Sequence, residues 1–384
     1  MSGLPMKIEL DRPTLPCITK HFQLVRDGNN VHLGFEAAHS VISTCQTNGG
    51  ERHDLLGIVN HQSCEGQFHD CISSKPVHGV SEVLRFRELA DEMGWDAKKT
   101  AFMGTAANMQ YGILSKTRWQ DLEVHALATA GVTGNATCAG DPAKYHQEGD
   151  RWVPCEQPAG TINVIVHVNH PLSPAALTRS VVTLTEAKTA ALMDLQVGSR
   201  SSSSLATGTG TDQFAIAFPI GEKAPLTWAG AHTKLGELIG VAVKDSVLGA
   251  LAWQNGMDPT RCRNLFHLLG RFGFSEDSFE SRLRPVSGEK QWPFFKANRE
   301  AVIHDPVVSM CASAMASLLD QERKAHIPPS VVASQARHLC AMMIVQVGNC
   351  PSDFKSCLEN LCGLDDPLGI FSKAIVLAWA KKWN

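Results

Sequence analysis

The 384-residue chain lacks any run of about 18 consecutive apolar residues, so the sequence predicts no membrane span. Its first residues contain no basic region followed by an apolar one, so we expect no secretory signal. The net charge is only −3, and tyrosine occurs twice. Neither feature favours a nucleic-acid partner, because such proteins carry basic surfaces or aromatic stacking platforms.

Standard metal and nucleotide signatures are also missing. The twelve cysteines form no CxxC pair and no Cys/His array with zinc-finger spacing. The sequence has no GxxxxGK[ST] loop and no GxGxxG after a strand, which argues against a polyphosphate ligand. We therefore interpret the cysteines as reduced, mostly buried thiols of a cytoplasmic protein.

Apolar periodicity and turn residues predict the elements of the first two-thirds of the chain. The predicted strands are 22–25, 31–35, 40–44, 55–59, 122–129, 161–168 and 214–218. The predicted helices are 80–93, 174–195 and 233–253. The order strand, long helix, strand across 161–218 is typical of a βαβ crossover. The predicted fold class is α/β, with a mixed β-sheet packed with helices.

The composition changes near residue 257. Helical patterns follow at 304–324, 329–347 and 367–382, with an irregular linker predicted at 284–293. We therefore divide the chain into an N-terminal arm (1–19), a main domain (20–256) and a mainly helical C-terminal module (262–384).

The run Ala206-Thr-Gly-Thr-Gly-Thr-Asp212 is the most informative segment. Its glycines allow a close approach to a ligand, its threonines offer donors and acceptors, and Asp212 offers a charge. Similar polar loops lie at 43–50, 129–135 and 160–163, each at a strand end. Several such loops at one edge of a sheet form a pocket. The predicted substrate-binding residues are Asn48, Asn135, Asn163, Thr207, Gly208, Thr209, Gly210 and Thr211.

Several of these runs together resemble the adenosylcobinamide amidohydrolase (CbiZ) family. The matching runs are 43–50, 105–108, 129–135 and 140–142. The more specific ones are Gly160–Asn163, Thr185–Leu192, Ala206–Asp212 and His232–Glu237, in the family's order and spacing. The resemblance covers about residues 20–256 and leaves out the C-terminal module.

The resemblance implies an enzyme that hydrolyses a linear amide on a side chain of a corrinoid. Adenosylcobinamide would be cut to adenosylcobyric acid and aminopropanol, a step of cobamide salvage and remodelling. No cofactor is implied, since the cobalt-containing corrinoid is the substrate. The sequence leaves open whether the protein forms a homo-oligomer. It also leaves open the alternative of a corrinoid-binding protein of the same fold that does not hydrolyse its ligand.

Cleavage of an unactivated amide needs a nucleophile, donors for the oxyanion and a proton for the leaving amine. The candidate catalytic residues are Asp212, Glu186, Lys188, His232 and Glu237. In a first scheme Asp212 activates water, with Glu186 and Glu237 as alternative bases. The backbone N–H groups of 208–210 then bind the oxyanion.

In both schemes Lys188 and His232 are the candidates for proton transfer. The second scheme has the hydroxyl of Thr207 or Thr209 attack after Lys188 or His232 removes its proton. We favour water activation, because the sequence contains no GxSxG motif. We expect Asn163, Asp212 and His232 to share one cavity.

Two further expectations concern ligands. His232, Asp212 and Glu237 could hold a divalent metal that activates water directly, although we predict no metal. A wide apolar floor should support the corrin ring, and Met103, Met109 and Trp119 are candidates for it.

Overall fold

The computed structural model describes residues 16–62, 80–143, 145–148, 151–154 and 161–382. The chain divides into two compact units. The first comprises the chain up to Ser201 together with Leu205–Met257, and the second comprises Ser202–Ser204 together with the chain from Asp258 onward.

The first unit contains all the described strands. In chain order they are β1 (Cys17–Ile18), β2 (Phe22–Asp27), β3 (Asn30–Ser43), β4 (Gly50–Gln62), β5 (Thr100–Thr105), β6 (Ile113–Trp119), β7 (Leu122–Ala130), β8 (Ala136–Thr137), β9 (Tyr145–Glu148), β10 (Arg151–Pro154), β11 (Ile162–Val168), β12 (Gly208–Thr209) and β13 (Gln213–Pro219).

Three helices belong to the same unit: α1 (Val80–Met93), α2 (Pro174–Asp194) and α3 (Lys234–Asn255). The hydroxyl of Ser173 accepts from the N–H of Ala176 and begins α2. Gly256, with φ of 60°, ends α3 in the left-handed conformation that glycine adopts without strain. Both ends agree with the sequence prediction.

The main sheet is mixed and has nine strands. Its central order is β1-β2-β3-β13-β11-β7-β6, and β4 joins β3 to β5. β11 and β13 are parallel and are connected through α2, which confirms the predicted βαβ crossover. The predicted fold class, a mixed sheet packed with helices, is confirmed.

The sheet curls into a half-barrel. The curl brings β4 and β5 to β11 and β7, since Asn163 Nδ2 donates to Asn60 Oδ1 at 2.8 Å. A hydrophobic cluster fills the concave side; its members include Phe22, Leu33, Ile58, Leu127 and Ile165. Helix α3 covers the other face of β7 and β11, whose strand residues are mostly buried, and α2 packs against α3 and β13.

Two predicted strands, 31–35 and 40–44, are a single strand in the structure. β3 runs through both, with irregular pairing to β4 between Gly34 and Val41. The residues Glu36-Ala-Ala-His39 between the two runs interrupt their β-branched pattern. A bulge accommodates such residues without ending the strand.

The described part of the second unit contains helices and no strand, as predicted for the C-terminal module. Its helices are α4 (Pro259–Cys262), α5 (Leu265–Leu269), α6 (Glu276–Ala297), α7 (Arg299–Ile303), α8 (Pro306–Arg323), α9 (Pro329–Val347), α10 (Phe354–Asn360) and α11 (Pro367–Lys382). In the described residues, no helix of either unit has the length and apolar character needed to cross a membrane.

The predicted irregular linker at 284–293 is wrong. This segment lies within α6, which contains Pro285 and Pro293 and is kinked at Gly288, where φ is 69°. The backbone leaves helical geometry at Gly288, so the segment consists of two helical stretches that meet at a sharp kink. The buried side chains of Leu283 and Trp292 anchor the helix in the core on both sides of the kink.

Candidate active site

The starts of β11 and β13 lie side by side at one edge of the sheet, which we call the polar edge. Asn163 lies opposite Gln213 in this parallel pair, and Asp212 directly precedes β13. The connecting helix α2 returns to the same edge, because a crossover helix runs antiparallel to the strands that it joins. Lys188 of α2 thereby contacts Asp212.

Four protein groups donate hydrogen bonds to the carboxylate of Asp212. Its Oδ1 accepts from the N–H of Ile162 at 3.1 Å and from the hydroxyl of Thr209 at 2.5 Å. Its Oδ2 accepts from the N–H of Thr209 at 3.0 Å and from the ammonium of Lys188. An ionised carboxylate has about four acceptor sites, so the protein itself fills them.

The ion pair requires a glycine at position 208. A Cβ on Gly208 would lie 2.4 Å from Asp212 Oδ2 and 2.8 Å from Lys188 Nζ. Both distances are too short for carbon and a polar atom in van der Waals contact. A Cβ on Gly210 would come no nearer than 3.9 Å to Asn135 Nδ2. The first glycine is therefore needed for packing, and the second is not.

Hydroxyl groups from neighbouring loops surround the ion pair. The hydroxyl oxygens of Thr161 and Thr211 are 2.6 Å apart, and Asn135 Nδ2 donates to Thr211 at 3.5 Å. The hydroxyl of Thr207 accepts from the N–H of Ala139 at 2.8 Å. The structure thus brings Asn135 and the Thr207–Thr211 loop together at the polar edge.

The loop after β3 reaches the same edge, but Asn48 serves to fix it. The N–H of Phe214 donates to the hydroxyl of Thr44 at 2.9 Å. Asn48 Nδ2 donates to the carbonyls of Ala97 and Thr100, both at 2.7 Å. Its amide nitrogen is therefore engaged within the protein, contrary to the expectation of a substrate contact.

Asn163 lies beneath the polar edge and not in it. Its Nδ2 donates to Asn60 and to the carbonyl of Gly104, and Asn60 Nδ2 donates to the hydroxyl of Thr129 at 2.8 Å. Only 1% of Asn163 is exposed. Its place is therefore in a buried polar layer that supports the site, contrary to the expected direct contact with substrate.

Glu186 does not join Asp212, although it is two residues from Lys188. Residues two apart on a helix point in different directions. Glu186 is exposed and lies 3.8 Å from the guanidinium of Arg179. This side of α2 faces solvent, so the expected role of Glu186 as a base has no geometric support.

His232 and Glu237 lie beyond the opposite end of β13 from Asp212. The seven residues of β13 span about 20 Å. His232 is exposed, and Glu237 is exposed and pairs with Lys234 at 2.7 Å. The expectation that His232 shares a cavity with Asn163 and Asp212 is wrong, and the alternative metal set is not assembled. Across the described residues, no group of three His, Cys, Asp or Glu side chains could hold a metal ion.

The opposite edge of the half-barrel holds a cluster of four histidines, which we call the histidine edge: His21, His39, His125 and His167. His125 and His167 lie opposite each other in β7 and β11. The Nε2 atoms of His39 and His167 are 3.3 Å apart. Within the part of the chain that the structure describes, the Nδ1 atoms of His125 and His167 have no hydrogen-bond partner.

Burial keeps these imidazoles neutral. It lowers the pKa of His39 and of His125 from 6.5 to about 4. It also lowers the pKa of His167 well below 6.5, and the neighbouring histidines add to the effect. The uncharged ring is favoured because the interior solvates an imidazolium poorly.

The polar edge has the arrangement of an activated nucleophile. The hydroxyl of Thr209 is hydrogen-bonded to a carboxylate, and Lys188 orients that carboxylate from its other oxygen. A nucleophile, a base and an orienting group in this order characterise covalent catalysis. Water activation by Asp212 is less well supported, because protein donors fill its acceptor sites.

Asn60 is the supporting residue that the sequence did not reveal, and it donates to Thr129, the first residue of the predicted polar loop 129–135. Asn60 follows Ile58 and Val59 in β4, and all three are buried. A buried polar residue in an apolar strand requires a partner. That signal was available in the sequence, whereas the partner on β7 could not be identified without the curl of the sheet.

Comparisons with known proteins agree with the motifs. The family model described as adenosylcobinamide amidohydrolase (CbiZ) matches residues 18–259. The uncharacterized protein MJ1613 of Methanocaldococcus jannaschii is 35% identical over 178 residues, which are 44% of this chain and 69% of that protein.

Two solved structures are similar to this chain at low sequence identity. The PH0078 protein of Pyrococcus horikoshii OT3 is 10% identical, with a TM-score of 0.31, over 60% of this chain and 83% of that chain. The L-aminopeptidase D-Ala-esterase/amidase of Ochrobactrum anthropi is 12% identical, with a TM-score of 0.27, over 60% and 82%. Because the family model covers more than half of its residues, the chain belongs to the adenosylcobinamide amidohydrolase family.

Proposed function

We propose that this protein hydrolyses the amide that links aminopropanol to the corrinoid in adenosylcobinamide. The products are adenosylcobyric acid and aminopropanol. The observation that carries the proposal is that two of the matched runs meet at Asp212, which contacts both Thr209 and Lys188. Lys188 belongs to one matched run and Thr209 and Asp212 to another, and Lys188 and Asp212 are 24 residues apart in the chain.

In the first step the hydroxyl oxygen of Thr209 attacks the amide carbon of the substrate. The proton moves to Asp212 Oδ1, which already accepts the hydroxyl hydrogen bond at 2.5 Å. Proton removal in the transition state by a positioned base contributes about 10²–10⁴-fold to the rate. Thr209 is preferred to Thr207, because the hydroxyl of Thr207 accepts from Ala139 and Thr209 is the one that donates to Asp212.

The tetrahedral intermediate carries a negative charge on the former carbonyl oxygen. The ammonium of Lys188, only 13% exposed, provides positive charge in a site largely shielded from water. Electrostatic stabilisation is stronger in such a site than in bulk solvent. The proton held by Asp212 then passes to the leaving nitrogen, and aminopropanol departs.

The corrinoid is now attached to Thr209 as an ester. Water takes the place of the departed amine, and Asp212 accepts a proton from it as the water attacks the ester carbon. Collapse of the second intermediate releases the carboxylic acid and returns the proton to the Thr209 oxygen. The sum is amide plus water giving acid plus amine, with the enzyme unchanged.

The test is the incubation of the purified protein with adenosylcobinamide, followed by measurement of aminopropanol and of the corrinoid product by mass spectrometry. We expect equal amounts of both products. Tight corrinoid binding without product would overturn the hydrolysis and leave a binding protein of the same fold. Faster cleavage of small linear amides than of adenosylcobinamide would overturn the corrinoid assignment.

A second measurement distinguishes the threonine ester from direct attack by water. Hydroxylamine captures an ester intermediate as a hydroxamate, whereas direct hydrolysis gives the free acid alone. We expect the corrinoid hydroxamate to form in proportion to hydroxylamine. Formation of the acid alone at every hydroxylamine concentration would support water activation by Asp212.

A further inference from the structure

Tyr111 and Trp253 form a stacked aromatic pair in the first unit. Their ring centroids are 6.2 Å apart, and the ring planes differ by 15°. Tyr111 ends the short 3₁₀-helix Met109–Tyr111 just before β6, and Trp253 lies in the last turn of α3. Both side chains are half-buried. The pair therefore presents aromatic surface to solvent while its position is fixed by packing.

The register of the sheet places this pair at the polar edge. Asn163 of β11 lies opposite Gln213 of β13. One residue earlier, Ile162 is therefore level with Asp212, and on its other side it lies opposite Ala130 of β7. Ile113 lies opposite Ala128, and a Cβ on Gly112 would lie 3.3 Å from the methyl group of Thr129, so Tyr111 lies close to the end of β7 at Ala130.

Three strand spacings of about 4.8 Å each separate Tyr111 from Asp212, or about 14 Å. The aromatic pair and the ion pair thus lie on one edge, a short distance apart.

The polar loops hold the pair in place. The side chain of Gln254 accepts from the N–H of Asn108 at 3.0 Å. Asn255 Oδ1 accepts from the N–H of Val132 at 3.0 Å, and its Nδ2 donates to Thr133 at 2.6 Å. The two residues that follow Trp253 therefore tie the end of α3 to the loops at the polar edge.

The residues expected to support the corrin ring lie elsewhere. Met103 and Met109 are 0% and 1% exposed in the concave core. Trp119 is 45% exposed, but it ends β6 at the edge opposite the one where Tyr111 precedes that strand. None of the three can form a floor beside Asp212.

We propose that Tyr111 and Trp253 form the platform that contacts the flat face of the corrin ring while the aminopropanol arm reaches Thr209. This assignment rests on the proposed function. The scissile amide lies on a side arm at the rim of the macrocycle, so the ring must rest beside the nucleophile and not over it. Aromatic side chains with a few polar groups around them are the usual lining of sites for large, mostly apolar ligands.

The platform determines the preference of the enzyme for a corrinoid over a small linear amide. A small linear amide reaches Thr209 without touching residues about 14 Å away, whereas a corrinoid spans that distance. Loss of the platform should therefore weaken corrinoid binding and leave the chemical step intact.

The test compares Tyr111→Ala and Trp253→Ala with Trp119→Ala, an exposed tryptophan at the opposite end of β6. The dissociation constant of cobinamide is measured by calorimetry, and kcat and KM by aminopropanol release. We expect the two platform variants to weaken binding by about tenfold, with kcat within about threefold of wild type. Trp253→Phe should restore most of the affinity, and Trp119→Ala should match wild type.

The outcomes separate the platform from the proposed function. Unchanged affinity in folded Tyr111→Ala and Trp253→Ala overturns the platform, even if hydrolysis is normal. Wild-type binding without hydrolysis overturns the proposed reaction, while the affinities of the variants still decide the platform. No cobinamide binding by the wild-type protein overturns both.

Discussion

The two ends of the half-barrel are built on the same strands, but one holds an ion pair and the other holds buried, neutral histidines. At the polar edge Asn163 and Thr129 belong to a hydrogen-bonded layer beneath the Lys188–Asp212 ion pair. Four residues further along β11, His167 is buried with an unpartnered ring nitrogen. Hydrogen bonds therefore stabilise the charges of Lys188 and Asp212 at the polar edge, whereas burial disfavours a charged imidazole at the histidine edge.

This difference explains why chemistry is assigned to the polar edge. A carboxylate with protein donors around it stays charged inside a protein, because hydrogen bonds offset the loss of water. At the histidine edge the Nδ1 atoms of His125 and His167 have no partner in the described residues, and burial keeps the imidazoles neutral. The following experiments test this contrast, from the largest expected effect to the smallest.

The largest effect is expected from Asp212→Asn at the polar edge. The amide cannot accept the hydroxyl proton of Thr209, and its NH₂ group would face either Lys188 or the donors on the other side. Aminopropanol release should fall by about 10³-fold or more. The control is the thermal midpoint of the variant, which shows whether it is folded. Near-normal turnover in a folded variant would remove Asp212 from the mechanism.

Acidification should destabilise the folded protein through the buried histidines of the histidine edge. The pKa of His39 and of His125 is about 4 in the folded chain and 6.5 in the absence of burial. Between these values the unfolded chain binds more protons, so stability is lost as pH falls.

The free energy of unfolding in urea should drop by about 1.4 kcal/mol per pH unit for each such proton below about pH 6.5. His125→Leu removes one titrating group and should make the loss shallower. Equal slopes for the variant and the wild type would show that this histidine does not titrate on unfolding.

Gly208→Ala should disrupt the polar edge through a steric clash. The added methyl group would meet Asp212 and Lys188, so the ion pair must separate. We expect about 1–3 kcal/mol of destabilisation together with a loss of turnover. The matched control is Gly210→Ala in the same loop, which has room for the methyl group and should change stability by less than about 0.5 kcal/mol. Equal behaviour of the two variants would contradict the close approach at Gly208.

Asn60→Ala tests the supporting layer. The change leaves Asn163 and Thr129 without their shared partner in a buried position. An unsatisfied buried group costs about 1–3 kcal/mol, so the urea midpoint should fall. Turnover should fall less than in Asp212→Asn, because Asn60 does not touch the ion pair. Unchanged stability would show that the layer does not hold the curl of the sheet.

Much of this architecture follows from local sequence. Ser173, Pro174 and Gly256 mark helix ends through side-chain or backbone chemistry that acts within a few residues. The βαβ crossover also follows from the sequence, because two apolar strands joined by a long amphipathic helix can pack in few other arrangements. The resemblance of short motifs identified the family.

The rest depends on contacts between distant residues. His232 and Glu237 lie in a matched motif, yet the length of β13 places them at the far end from Asp212. Asn163 looked like a ligand contact, and the curl of the sheet buried it against Asn60. Sequence showed which polar residues stood out, but not which end of a strand each would reach.

The central claim is that Thr209 attacks the substrate at the polar edge, and the most direct measurement is the rate of aminopropanol release from adenosylcobinamide by Thr209→Ala and Thr209→Ser. The account predicts loss of turnover by about 10³-fold or more in the alanine variant, with cobinamide still bound, and measurable turnover in the serine variant. Turnover by folded Thr209→Ala within about threefold of wild type would contradict it.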